Sequence, residues 1–432
     1  MPQKHTIVIL NPGHFHAALT LRERHPLIDD DVHVFTEDGP DVDNFLRLVR
    51  SFNDRAVNPT RWTLYVYRGA DYLEKLIAQR PGEVVVIAGR NNEKMPLIHL
   101  LHAQGFRVLG DKPWLIESEQ IGLLREVTAS APLAMDIMTE RHEIANRVQK
   151  ELARQPAVFG DFRIDGDQPA IAMRSVHHLY KMVNNRPLQR PGWYFDPAVQ
   201  GEGITDVTTH LVDLVQWMSG DGVRFDFDWH VEGLSARQWP TAIPRSIFSR
   251  ITGLEDFPAV LQDRVADGAL QYLCNAALSY RLRGVPVEIE TVWGLEEPAG
   301  GGDLHRAILR GTRCTLTVDQ GPETGFLRTL TVNPVEGGRA FAEALAGAVA
   351  GMQTEFPGLG VEPAGAEFRI TIPTALRSTH EQHFAEVLQT FLGYLDAGDW
   401  PGNLGSELDT KYTLLAQALD LSRRVAVVAP RA

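Results

Sequence analysis

The chain has 432 residues, 44% of them hydrophobic and 22% charged, with a formal net charge of -13. That is the composition of a globular protein long enough for two or three domains. The acidic balance excludes an electrostatic nucleic-acid binder, which needs a basic stripe to displace counterions, and no run approaches the ~18 apolar residues of a membrane-spanning helix.

In chain order, "HTIVIL" (5–10) predicts a buried strand, "HAALTLRERH" (16–25) a helix, "DVHVF" (31–35) a strand and "DNFLRLVRSFN" (43–53) a helix. The alternation continues through 62–67, 71–79, 83–89, 95–105 and 106–110. Aliphatic runs joined by amphipathic helices predict a doubly wound parallel sheet, which binds ligands at its carboxyl edge. "LAMDIM" (133–138) is a further strand, leading into a helix over 143–155.

After residue 134 the pattern turns mostly to strands, at "VFGDFRID" (158–165), 170–180, 225–234, 275–295, 305–320 and 327–335, with a helix over 204–218. A large, mostly antiparallel sheet in an α+β domain is expected. Helical patterns at 339–352, 379–397 and 407–425 close the chain. The expected domains are 1–134, binding a dinucleotide, and 135–432, binding substrate and forming oligomers. Cys274 and Cys314 are too few for a disulfide framework and are expected as core thiols. The apolar run in "MPQKHTIVIL" is too short for a signal sequence, so a cytoplasmic location is expected.

The turn "NPGHFHA" (11–17) follows the first strand, where a dinucleotide fingerprint would read Gly-x-Gly-x-x-Gly. The glycine places hold Asn11, Gly13 and His16, with His14 and Phe15 between. Asn tolerates a left-handed turn; His16 fits worst, because the third glycine allows close helix–strand packing. Glu37 stands where an acidic residue receives the ribose hydroxyls, and it would repel a 2'-phosphate, favouring NAD over NADP.

Lys112, in "GDKPW", follows a buried strand, and Pro113 directs the residue before it into extended geometry. A lysine there can exchange a proton with a substrate hydroxyl. Asp206 and His210 are four apart in the 204–218 helix pattern, a spacing that shares one face, and Asp213 follows near one turn on. Carboxylate and imidazole make a workable acid/base pair; the bland alternative is a helix-dipole contact and a packed ring. The stretch 174–197 joins His178, Lys181 and Arg190 to Trp193 and Tyr194. Aromatic faces and cationic donors suit a carbohydrate, although a charged surface loop would look the same. In "THEQHF" (379–384), His380 and His383 are three apart. They are weak metal candidates, and a sugar contact at His380 or a packed helix face is the stronger expectation.

Taken together, "FRVLGDKPW" (106–114), "GEGITDVTTHLVDLVQW" (201–217) and "RGTRCTLTV" (310–318) resemble the glucose-fructose oxidoreductase/inositol dehydrogenase family, of the Gfo/Idh/MocA type. The tail and "VNNRPLQRPGWYFD" (183–196) look like a branch of it with a distinct C-terminal region. The resemblance implies an N-terminal Rossmann domain with NAD and a second domain with the substrate. It implies that Lys112, Asp206 and His210 surround the carbon that loses hydride, and that Asn91 lies near the nicotinamide ribose. Asp111 stands where the family has Glu. The expected activity is oxidation of a CH–OH group in a sugar, sugar alcohol or glycoside by a homo-oligomer, a dimer or tetramer. Two other readings stay open: a lyase or hydrolase acting on keto sugars, with or without a metal, and a non-catalytic sugar or nucleotide sensor.

Overall fold

A computed structural model of the chain describes residues 4–130, 134–183, 186–220 and 222–428. Leu133 of the sixth expected strand, and Asn184 and Asn185 of the 183–196 stretch, lie outside these. The chain forms two compact units. The first comprises Met1–His142, Gly222–Asp226 and Ser378–Ala416, the second Glu143–Asp221, Phe227–Arg377 and Gln417–Ala432. The chain thus crosses between units several times, where a single change after residue 134 was expected.

The first unit holds β1 (His5–Leu10), β2 (Ile28–Thr36), β3 (Thr63–Arg68), β4 (Val84–Ile87), β5 (Arg107–Asp111) and β6 (Ala134–Ile137). All pair in parallel, in the order β3-β2-β1-β4-β5-β6. Ile7 to Leu10 and Val84 to Ile87 are all buried, as parallel strands covered on both faces require. Between the strands lie α1 (His16–Leu19), α2 (Pro40–Asp54), α3 (Tyr72–Gln79), α4 (Asn91–Ala103) and α5 (Ile121–Ala129). In α2, Pro40 opens the first turn, Asp41 and Asp43 face the positive end of the dipole, and Val42, Phe45, Leu46 and Val49 are buried. The strand order reverses between β1 and β4, the switch point at which such sheets bind ligands.

The helix expected over 16–25 stops at Leu19. Tertiary donors take the carbonyls that further turns would use: Trp62 Nε1 donates to Leu21 O at 2.6 Å and Arg55 Nη2 to Arg22 O at 2.6 Å.

The second unit begins with α6 (Ile144–Ala153), β7 (Ile171–Tyr180), the short pair β8 (Met182–Val183) and β9 (Arg186–Pro187), α7 (Pro197–Gln200) and α8 (Thr208–Ser219). It continues with α9 (Phe227–His230), β10 (Val231–Pro244), α10 (Arg245–Thr252), β11 (Val265–Ala266), β12 (Ala269–Leu282), β13 (Val285–Glu296), β14 (Leu304–Arg310) and β15 (Cys314–Gln320). β16 (Thr329–Pro334), α11 (Arg339–Gly351), β17 (Gly360–Ala364) and β18 (Glu367–Thr371) follow. Ten strands form one sheet, β10-β12-β13-β7-β14-β15-β16-β18-β17, with β11 beside β12. Its pairings are antiparallel except β13 with β7. Cys274 and Cys314 are free, buried thiols of this sheet.

Two strand expectations are corrected. Residues 158–165 form turns with an isolated bridge from Phe162 to Gly311, because the Val158 and Phe159 amides donate back to Gln155 O and Gly160 turns left-handed. Residues 227–230 form the single turn α9, and β10 starts only at Val231.

The chain then returns to the first unit with α12 (His380–Ala397). Thr379 and Gln382 cap it reciprocally, and His383, Phe384, Val387, Leu388, Phe391 and Leu392 are its buried face. α13 (Leu404–Val428) follows. No described helix is long and apolar enough to cross a membrane.

Candidate active site

The carboxyl edge of the first unit's sheet collects the residues singled out there. Asn11 is left-handed, at φ 40°. The Gly13 and His14 amides both donate to Ala88 O, at 3.2 and 2.9 Å, tying the turn after β1 to the turn after β4. Gly89 is obligatory between them: a Cβ there would lie 2.6 Å from Asn11 O. Glu37 is exposed just beyond β2. Thr36 Oγ1 beside it donates to Asn11 Oδ1 at 3.2 Å.

His16 lies with β5. Its Nδ1 is 2.9 Å from Asp111 Oδ2, and its ring packs on Phe384 of α12, centroids 4.5 Å apart. His14 Nδ1 is 3.8 Å from the same oxygen. Burial alone would raise the Asp111 carboxyl; His16, Lys94 and His14 outweigh it and hold the group well below the usual carboxylate range. Asp111, in the place of the family's Glu, therefore faces the histidines of the first turn.

Lys112 follows β5, half-buried, with a cis peptide bond to Pro113. Asn91 opens α4 and is buried; its Oδ1 accepts from Lys94 Nζ at 2.7 Å, and the same ammonium is 3.4 Å from Lys112 O. Lys94 is fully buried and was missed in the sequence. Its signal was the three-residue spacing from Asn91 at a helix start, which brings the two side chains together.

His380 and His383 belong to this first unit rather than to the second. Their ring centroids are 6.2 Å apart, and neither joins a group of three ligands among the described residues. His380 Nδ1 lies 4.0 Å from Glu140 Oε1, and half of its side chain is exposed.

In the second unit Asp206 stands before the helix, as the residue closing the short turn Gly203–Thr205, and α8 starts at Thr208. The shared helix face expected for Asp206 and His210 is therefore corrected. Asp206 is fixed instead by Tyr194, whose hydroxyl donates to Oδ2 at 3.3 Å. Burial, with Asp206 adding to it, raises the Tyr194 phenol well above its usual value despite Arg190, so it stays a donor. His210 is half-buried in the first turn of α8, and Asp213 is fully buried.

Arg190 is buried, its guanidinium 4.5 Å from the Tyr194 ring centroid and 5.4 Å from that of Trp293. Trp193 packs, partly buried, on the same core. Lys181 Nζ is 2.7 Å from Asp303 Oδ2, which His177 Nδ1 approaches to 3.1 Å; His178 Nδ1 lies 3.7 Å from Oδ1. Burial opposes the Asp303 charge, but the histidines and Lys181 outweigh it and lower the carboxyl below its usual range. Asp303 lies at the end of the Gly-rich stretch "EEPAGGGD" (296–303). This arrangement brings His178, Lys181 and Asp303 together, and Arg190, Tyr194 and Asp206 together.

Residues 148–423 match the family described as "Putative oxidoreductase C terminal domain". A solved structure of a "putative oxidoreductase" from Parabacteroides merdae is 38% identical over 98% of both chains, with a TM-score of 0.93. Levoglucosan dehydrogenase in complex with NADH and levoglucosan is 14% identical over 97% of each chain, with a TM-score of 0.62. GenD2 from gentamicin A biosynthesis, in complex with NAD, is 14% identical over 99% of this chain and 95% of its own, at 0.59. No curated protein matches the chain. Sequence and fold agree, and the chain belongs to this oxidoreductase family with its distinct C-terminal domain.

Proposed function

We propose that the chain is an NAD(H)-dependent oxidoreductase acting on a CH–OH group of a sugar, sugar alcohol or glycoside. The observation that carries this reading is the gathering of left-handed Asn11, Gly13, exposed Glu37, Asn91 and Lys112 at the carboxyl edge of one doubly wound sheet. NAD suits the adenosine end best: Glu37 is free in solvent to receive ribose hydroxyls and repels a 2'-phosphate. At the pyrophosphate end the Gly13 and His14 amides are bonded to Ala88. Gly13 there contributes a bare backbone rather than free N–H groups. Relatives of the same fold bound to NAD or NADH support the cofactor, and the one bound to levoglucosan supports the substrate class.

A nicotinamide held at this edge would supply the hydride acceptor for the carbinol carbon. Lys112 or His210 takes the hydroxyl proton. Asp206, oriented by Tyr194, holds the substrate hydroxyl or the imidazole in register. The aromatic and cationic side chains between His178 and Tyr194 bind and orient the sugar.

The test is calorimetric titration of the cofactor-stripped protein with NAD+ and NADH, followed by transfer of deuterium from labelled polyols and sugars. Binding with transfer is expected. Neither binding nor transfer would remove the reading.

A further inference from the structure

The turn after β1 and the end of β5 bring three donor residues together. His14, His16 and Asp111 each place a ligand atom within 4.8 Å of the other two. His16 is 2.9 Å and His14 3.8 Å from the carboxylate oxygen, and the two rings stand edge to face with centroids 4.0 Å apart. Phe15 and Phe384 back the His16 ring, at 4.6 and 4.5 Å between centroids. An ordinary carboxylate–imidazole hydrogen bond needs one ring; a second imidazole nitrogen aimed at the same oxygen is what a coordination site adds.

We propose that His14, His16 and Asp111 hold a divalent first-row transition ion. Two imidazoles and one carboxylate are the donor set such ions prefer. Ligand bonds of about 2.0–2.2 Å put tetrahedral ligand atoms roughly 3–3.6 Å apart; the observed 2.9 and 3.8 Å bracket that range. Three protein ligands leave a coordination position for water or a substrate oxygen. His14, with 17% of its side chain exposed, is the most open of the three ligands.

Lys94, buried close enough for its charge to act on Asp111, opposes any cation there. With one carboxylate against that ammonium, the site selects imidazole-preferring ions such as Co(II) and Zn(II) over Mg(II) and Ca(II), which need more oxygen ligands. The other three-ligand group among the described residues, His178, Glu297 and Asp303, is a poorer choice. The Lys181 ammonium, 2.7 Å from Asp303, already stands where an ion would. The proposal goes beyond the nicotinamide reading and does not rest on it.

The test is titration of the chelator-stripped full chain with Co(II), Zn(II) and Mg(II), by calorimetry and visible absorption. Saturable uptake of a single Co(II) or Zn(II) per chain is expected, with the absorption of imidazole-bound Co(II), and no uptake of Mg(II). His14→Gln and Asp111→Asn, each checked for folding by circular dichroism, weaken uptake at least about tenfold, and Asp303→Asn leaves it unchanged. No saturable uptake by the folded parent overturns the site. So does uptake retained in His14→Gln, or lost only in Asp303→Asn.

Discussion

His16 Nδ1 lies 2.9 Å from Asp111 Oδ2, so the residue at the third glycine place of the first turn is bonded to the residue just before Lys112. Restoring the fingerprint by His16→Gly therefore removes a partner from a buried carboxylate and a ring from Phe384. A loss of about 1–3 kcal/mol is expected from the unsatisfied group, read as a lower midpoint in urea unfolding. Tighter NAD binding without a stability loss would contradict this.

Gly89→Ala places a Cβ 2.6 Å from Asn11 O, against backbone that has no room to move without breaking the Gly13 and His14 bonds to Ala88. A cost of about 1–3 kcal/mol is expected for this overpacking, together with weaker NAD binding in calorimetry.

Lys112→Ala is expected to lower kcat by roughly 10²–10⁴, the usual range for a general acid or base, with little change in KM. A rise in KM at constant kcat would make Lys112 a binding residue instead.

Lys411 and Asp136 form a buried ion pair at 2.6 Å, with side chains 1% and 5% exposed. Tyr412 donates to the same oxygen at 2.9 Å and stacks on Trp114. Lys411→Met strands the carboxylate and is expected to cost about 3–5 kcal/mol. Adding Asp136→Leu should recover most of it, which thermal unfolding of the single and double variants measures.

Asp303 has a depressed carboxyl in the folded state, so the unfolded chain binds its proton first as pH falls. Its contribution to stability is present above the unfolded value of about 3.9, and is lost as pH falls from there toward the lower folded value. Asp303→Asn should flatten the acid limb of a stability–pH profile and leave the neutral region lower throughout. An unchanged acid limb would show that Lys181 and His177 do not hold the charge.

The parallel strands were legible because burial on both faces leaves unbroken aliphatic runs, as in 5–10 and 83–89. What failed was decided by distant partners. α1 is cut short by Trp62 and Arg55, and 158–165 is folded back by Gln155 and Gly160. Lys112 could be placed because a strand end dictates where the next side chain stands. Asp206 could not, because the sequence reads as continuous helix and only the Gly203–Thr205 turn separates it from α8. Asp303 was hidden in a glycine-rich loop whose partners lie more than a hundred residues away. The helical pattern at 379–397 was legible, but not that α12 belongs with the first unit's sheet.

The pair joining β6 to the last helix also sets an order of events during synthesis. Tyr412 is 276 residues beyond Asp136. As the chain emerges from the ribosome, Asp136 is made first and the whole second sheet follows before Lys411 and Tyr412 arrive. Closing so long a loop is a slow, non-local step. A fragment ending near residue 142 contains every parallel strand yet lacks Lys411 and Tyr412, the partners of the buried Asp136 carboxylate.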